Sequence, residues 1–270
     1  MAELLLHSLS EFDEVIFAAI ERLQPRGILE IGSETGAFSA RLLATCEKNG
    51  VPLTVIEPHP TDALIQTAME KDIIELAMCS SEEYLADRGC AADLVLIDGD
   101  HNYHTVAEEL RLIHGSWAAR GTRGTIFLHD VGWPWGRRDL YYAPDRIPTE
   151  RRLPHSFDLG VTVHSPQAIA GGFRGMGAFA VALDEGGERN GVLTAVEDFG
   201  RANPEYSYRS IDAVFGLGAL TPKGSAADRT VADVFAPYDN ALIRRLERNR
   251  LELYLKVIEL QDLLAARVAP

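Results

Sequence analysis

A chain of 270 residues, 46% apolar and 24% charged, can bury one substantial core, and its net charge of −14 works against partners that present phosphates. Nucleic acids and anionic membrane surfaces are disfavoured on that ground, and no apolar run approaches the roughly 18 residues of a spanning helix. Cys46, Cys79 and Cys90 have an odd count and no metal-type spacing, and the amino terminus has no basic stretch leading into an apolar core. These features point to a reducing, cytoplasmic setting.

In chain order, Ser10-Glu11-Phe12-Asp13 reads as a capping box with Asp in place of Glu. Phe12, Val15, Ile16, Ala19, Ile20 and Leu23 then share one helical face until Pro25. Ile28-Leu29-Glu30-Ile31 is an apolar run that ends in Gly32-Ser33-Glu34-Thr35-Gly36, and a helix of small residues follows from Ala37. Strand, glycine turn and helix make the opening unit of a doubly wound α/β sheet, whose ligands sit at the carboxyl ends of the strands. The glycines are spaced G-x-x-x-G, unlike the G-x-G-x-x-G of a dinucleotide site, and Glu30 stands at the strand end. A carboxylate about 4 Å from an anion costs roughly 4 kcal/mol at an effective dielectric of about 20, and beside a cation the sign reverses. The turn therefore suits a cationic ligand without phosphate here, such as S-adenosylmethionine with its sulfonium and α-ammonium groups.

This E-x-G-x-x-x-G pattern resembles motif I of the class I S-adenosylmethionine-dependent methyltransferases. The resemblance implies a seven-stranded, mostly parallel Rossmann-like sheet, with Glu30, Gly32, Ser33, Glu34, Thr35 and Gly36 around the cofactor. A second strand, Leu53–Ile56, ends in Glu57-Pro58. Glu57 lies 25 residues past Gly32, where an acid accepts from ribose hydroxyls in nucleoside-binding folds. A third, Ile73–Met78, leads to Cys79-Ser80-Ser81, where Ser80 replaces the acid that the resembled family aims at the adenine amino group. The fourth and fifth strands, Asp93–Ile97 and Thr125–Leu128, run into Asp98-Gly99-Asp100-His101 and His129-Asp130, which converge on the same crevice.

The layout D-G-D-x-x-Y after the fourth strand, with x-D after the fifth, resembles the metal-dependent O-methyltransferases of the macrocin and sugar-tailoring type. That resemblance implies a metal at Asp98 and Asp130, with magnesium as an optional second cofactor, and makes Asp100 a base. His129 departs from the pattern, standing where the resembled family has an acid. From the residues themselves, His101 is the first choice of base, since an imidazole is mostly neutral at pH 7. Asp100 would orient it or act in its place.

Residues 131–160 exceed a simple connection and read as a lid, with Trp133, Arg137, Tyr141 and Tyr142 as substrate contacts. Gly171–Gly177 is glycine-rich but follows no clear strand, so it is not read as a phosphate loop. A sixth strand is expected at Ala178–Leu183, a helix from Asn190 to Arg201, and a seventh strand at Ile211–Leu217. The last helix, Asp239 to Val268, carries Ile243, Leu246, Arg250, Leu253, Val257, Leu260 and Leu264 at heptad spacing, which predicts a homo-oligomer contact. The expected division is a methyltransferase domain at 1–228 and a helical appendage at 229–270.

The expected activity is methyl transfer to a hydroxyl of a small-molecule acceptor, a sugar or aglycone of a secondary metabolite such as an antibiotic. Three alternatives use the same residues. One is an N-methyltransferase. Another is a non-haem iron oxygenase with Asp98 or Asp130, His101 and His129 as ligands. The last is a non-catalytic binding protein of the same fold.

Overall fold

The computed structural model describes residues 5–268. Four short apolar strands, β1 (Ile28–Ile31), β2 (Leu53–Ile56), β3 (Ile74–Ala77) and β4 (Leu94–Ile97), run parallel with β5 (Thr125–His129). Strands buried on both faces need no polar alternation, and the ILEI of β1 and LVLI of β4 are buried at every position. With β11 (Tyr206–Ile211) and β12 (Leu217–Pro222) they form one seven-stranded sheet in the order β11-β12-β5-β4-β1-β2-β3. This is a mostly parallel, doubly wound Rossmann-like sheet.

Helices cover both faces. On one side α1 (Asp13–Leu23), α2 (Ala37–Asn49), α3 (Asp62–Glu70) and α7 (Ala226–Phe235) pack on Ile28, Leu53, Val55, Leu94 and Phe127. On the other, α4 (Ser81–Arg88), α5 (Tyr103–Ala119) and α6 (Val192–Ala202) pack on Leu29, Ile31, Val95, Ile97 and Leu128. The amphipathic α1 matches its predicted face, but its entry differs. A short 3-10 turn at Leu9–Phe12 comes first, capped by the Ser8 side chain rather than by a box at Ser10.

Three expectations for the second half are corrected. The expected sixth strand is present as β10 (Ala180–Ala182), but it lies outside the main sheet, antiparallel to β6 (Leu140–Tyr141) and β7 (His155–Ser156). The expected seventh strand at 211–217 is a turn joining β11 to β12, with Val214 and Phe215 at positive φ. The last two strands are therefore an antiparallel hairpin; β11 escaped notice because, as an edge strand, it is half-buried and polar along YSYRSI. Finally, the expected boundary at 228/229 falls inside α7, whose Val231, Val234 and Phe235 belong to the core, so any appendage begins after that helix.

The segment read as a lid is pinned. Arg138, buried, donates to the carbonyls of Ala182 at 2.5 Å and Pro166 at 2.6 Å. Asp139 accepts from the Tyr103 and Gly191 amides, each at 2.7 Å, and from the Tyr141 hydroxyl. The hairpin of β8 (Gly160–Thr162) and β9 (Ser165–Ile169) extends this layer. The closing helix, α8 (Ala241–Val268), packs Leu251 and Leu255 inward, and Arg174 holds its Asp262 at 2.9 Å. No helix among the described residues is long and apolar enough to cross a membrane.

Candidate functional site

A cavity of about 1470 Å³ opens at the carboxyl edge of β1, β2, β3 and β4. Its floor is the glycine turn. Gly32 has φ +83°, and a Cβ there would lie 2.2 Å from the Asp98 carbonyl oxygen, so the turn after β1 and that after β4 touch backbone to backbone. Only glycine fits. Gly36, at φ +78°, starts α2, and Glu34 between them is also left-handed at φ +46° and lines the cavity. Thr35 is exposed beside it, and Ser33 is buried with its amide donating to Glu57 Oε2 at 3.0 Å. The His59 amide holds the other Glu57 oxygen at 3.0 Å. Glu57, Pro58, Cys79, Ser80, Ser81 and Asp98 all line the cavity.

Glu30 does not. It points to the α2 side of the sheet, is buried, and its Oε2 has no hydrogen-bond partner among the described residues. Burial pushes its carboxyl up to about 8, with the Ser39 hydroxyl offsetting only part and Asp98 and Glu57 adding to the rise. At neutral pH it is largely uncharged, so the field in the cavity comes from other acids. Between its ordinary 4.5 and about 8 the folded state holds a proton that the unfolded state has lost, so stability falls as pH rises, by up to about 1.4 kcal/mol per unit. Glu30→Gln removes this slope: its melting temperature should exceed that of the wild type by an amount that grows from pH 5 to 8 and then levels. Parallel melting curves would refute the assignment.

The field is strongly negative. Glu34, Glu57, Glu82, Glu83, Asp98, Asp100 and Asp130 line the cavity beside Glu109, whose carboxyl burial holds largely protonated, and among the described lining residues Arg146 is the sole arginine or lysine. Such a wall favours a cation and repels phosphate.

At the β4 and β5 ends four side chains form a chain of contacts. His129 Nδ1 meets Asp98 Oδ1 at 3.0 Å, and its Nε2 meets the Val214 carbonyl of the β11–β12 turn at 2.9 Å. Both partners accept, so both ring nitrogens carry hydrogen. Burial alone would lower its pKa, but Asp130 and Asp98 outweigh this and hold it at about 9. His129 is thus an imidazolium that compensates the two acids. Asp98 Oδ2 also accepts from the Leu9 amide at 3.3 Å, which brings the amino-terminal segment over the strand ends, where Leu5, His7 and Ser8 wall the cavity.

His101 lies across Asp130, its Nδ1 2.9 Å from Asp130 Oδ2. Burial opposes its charge, but Asp130 and Asp98 prevail and its pKa is raised. The partner of the His101 ring is thus Asp130, not its neighbour Asp100. Asp100 lines the cavity nearby with its own pKa raised, by burial above all. Asp98, His129 and Asp130 place ligand-type atoms within 4.8 Å of one another, and Asp130 Oδ1 is buried without a partner, a spread that fits one ion. An ion would have to take the place of the proton on His129 Nδ1. His101 is not part of that group, so the iron triad of Asp98, His101 and His129 is not assembled as such.

Of the expected substrate contacts, Tyr142 lines the cavity and stacks edge-on to His101. The other three do not line it. Trp133 packs on Phe215, Arg137 pairs with Glu197 at 2.5 Å, and Tyr141 is buried on Asp139. Sequence reading missed Phe173, Phe179 and Phe215, which with Trp135 of the lid segment form an aromatic wall, and Tyr254 and Gln261 from α8. The repeated aromatics of 173–179 and 215 were the available signal, hidden in segments without periodicity.

Residues 29–131, less than half of the chain, match the model of a family described as a methyltransferase domain. No curated protein matches the chain by sequence. Among solved structures, it is similar to the S-adenosylhomocysteine-bound methyltransferase PaMTH1 of Podospora anserina, at 15% identity over 80% of this chain and 79% of that one, with a TM-score of 0.47. It is similar to cofactor-bound Rv0187 from MTB at 16% identity over 81% and 82%, with a TM-score of 0.45. Human N-acetylserotonin methyltransferase in complex with S-adenosylmethionine gives 14% identity over 80% and 52%, with a TM-score of 0.40.

Proposed function

We propose that the protein is a class I methyltransferase that binds S-adenosylmethionine at the carboxyl edge of the sheet and passes its methyl group to a small-molecule acceptor. The observation that carries this reading is the glycine turn packed against Asp98 inside an acidic, phosphate-averse cavity, with Glu57 one strand away. The family match over 29–131 covers the same turn and both strand ends. Gly32, Glu34, Glu57, Pro58, Cys79, Ser80, Ser81 and Asp98 form the cofactor wall, and Ser33, Thr35 and Gly36 shape the turn. Glu57 keeps lone pairs for ribose hydroxyls beyond the two amides it accepts from.

His101 acts as the base. Asp130 fixes its Nδ1 as the donor, which leaves Nε2 to accept the acceptor's proton while the cavity aligns nucleophile, methyl and sulfur. A magnesium ion, where bound, would be held by Asp98, Asp130 and His129 and would polarise an acceptor hydroxyl. The aromatic wall of Trp135, Tyr142, Phe173 and Phe179 suits a sugar or aglycone face, and a hydroxyl is the favoured nucleophile because it needs the base that the site provides. With a labelled methyl donor and paired sugar, aglycone and amine acceptors, label should enter an oxygen ether. Label only in amines would overturn the hydroxyl assignment.

We further propose that α8 pairs with a second copy of the chain. Its heptad residues Leu246, Leu253, Leu260 and Leu264 are each at least half exposed, whereas Leu251 and Leu255, off that seam, are buried on the protein's own core. Sedimentation should give a multiple of the chain mass that falls to one chain in Leu253→Glu/Leu260→Glu; a wild-type monomer would refute the pairing.

A further inference from the structure

The buried face of α5 runs Val106, Glu109, Leu110, Ile113 and Trp117, so an acid occupies a position that the helical period assigns to the core. Glu109 has no exposed surface, yet it is among the residues that line the cavity. Ser81, the first residue of α4, donates its hydroxyl to Glu109 Oε1 at 2.5 Å, while Oε2 is buried with no partner among the described residues. A buried oxygen without a partner is destabilising unless something that binds there meets it.

Position says what that is. The catalytic contacts lie at the β4 and β5 ends and Glu57 lies at the β2 end, so a nucleoside held at Glu57 with its sulfur toward His101 extends its base outward, toward β3. That is where Ser80 and Ser81 follow β3, and where the Ser81 hydroxyl meets Glu109. We propose that Glu109 reads the purine of the bound nucleoside from α5, through Oε2. This rests on the cofactor reading above.

The chemistry is selective. Burial, against the partial relief of the Ser81 hydrogen bond, pushes the Glu109 carboxyl up to about 8, so near pH 7 it keeps its proton. With Oε1 accepting from Ser81, that hydrogen belongs on Oε2, a donor aimed at an unprotonated ring nitrogen. Adenine presents one on its pairing edge at N1, whereas hypoxanthine carries hydrogen there. An amide in place of the acid keeps the donor, and a leucine removes it.

The test is calorimetric titration of the full chain with S-adenosylhomocysteine and with S-inosylhomocysteine, using the wild type, Glu109→Gln and Glu109→Leu. The wild type and Glu109→Gln should prefer the adenine ligand by about tenfold or more. Glu109→Leu should lose about tenfold in affinity for it and bind the two ligands within about threefold of each other. Equal wild-type affinity for the two ligands, which needs no variant to measure, overturns the proposal. So does an unchanged preference in Glu109→Leu, and either result leaves the cofactor reading intact. A wild type that binds neither ligand overturns both.

Discussion

His101→Ala should slow methyl transfer by about 10²–10⁴-fold while leaving affinity for S-adenosylhomocysteine within about threefold. The separation follows from where the ring sits. His101 borders the cavity on the β4 side and contacts Asp130, whereas the residues proposed to hold the nucleoside are on the turns after β1, β2 and β3. Loss of the ring removes the proposed proton acceptor and leaves the proposed nucleoside wall in place. Asp130→Ala should give a smaller loss, because an imidazole freed of its partner samples both tautomers and presents Nε2 only part of the time. Rates from the labelled donor and calorimetry on the same samples check both. A His101→Ala rate within threefold of wild type would remove the histidine from the chemistry.

Gly32→Ala is expected to cause the largest loss in stability and in binding together. A side chain at φ +83° costs about 1–2 kcal/mol, and the added carbon would lie 2.2 Å from the Asp98 carbonyl, which must move. Asp98 cannot move freely, since its carboxylate holds the His129 imidazolium and the Leu9 amide. A combined cost of about 3–5 kcal/mol is expected, a drop in melting temperature on the order of 10 °C, with S-adenosylhomocysteine binding lost at micromolar concentrations. Gly50, whose Cβ would meet nothing within 4 Å, is the control for a left-handed glycine away from the site. Equal effects at the two positions would contradict the close approach of the two turns.

The first half of the chain was legible because each strand there is an apolar run ending in a polar turn. Leu53–Ile56 is matched to the residue, and the strand ends placed Glu57, Asp98, His101 and Asp130 at one crevice in advance. What escaped depends on contacts distant in sequence. Glu30 looks like a strand-end acid in the primary structure, but the two-residue period of a strand turns it to the opposite face from Leu29 and Ile31. The pairing of His101 with Asp130 rather than with its neighbour Asp100 needs the β4–β5 register. The turn at 212–216 lies within an apolar stretch, IDAVFGL, that reads as strand, and only its fold-back shows that the Val214 carbonyl completes the His129 shell. Arg137 and Tyr141 read as substrate groups for their chemistry, yet both are consumed in holding the 131–160 segment in place.

The central claim is that an acidic, glycine-floored cavity receives a cationic sulfur nucleoside. Calorimetric titration of the purified chain with S-adenosylmethionine and S-adenosylhomocysteine, each with and without a chelator, tests it most directly. The structure predicts saturable one-to-one binding of both, with the nucleoside affinity unchanged by chelation because Glu57 and the turn after β1 need no metal. Absence of heat and of competition by either compound, or tight binding of a pyrophosphate-bearing dinucleotide in the same cavity, would contradict it.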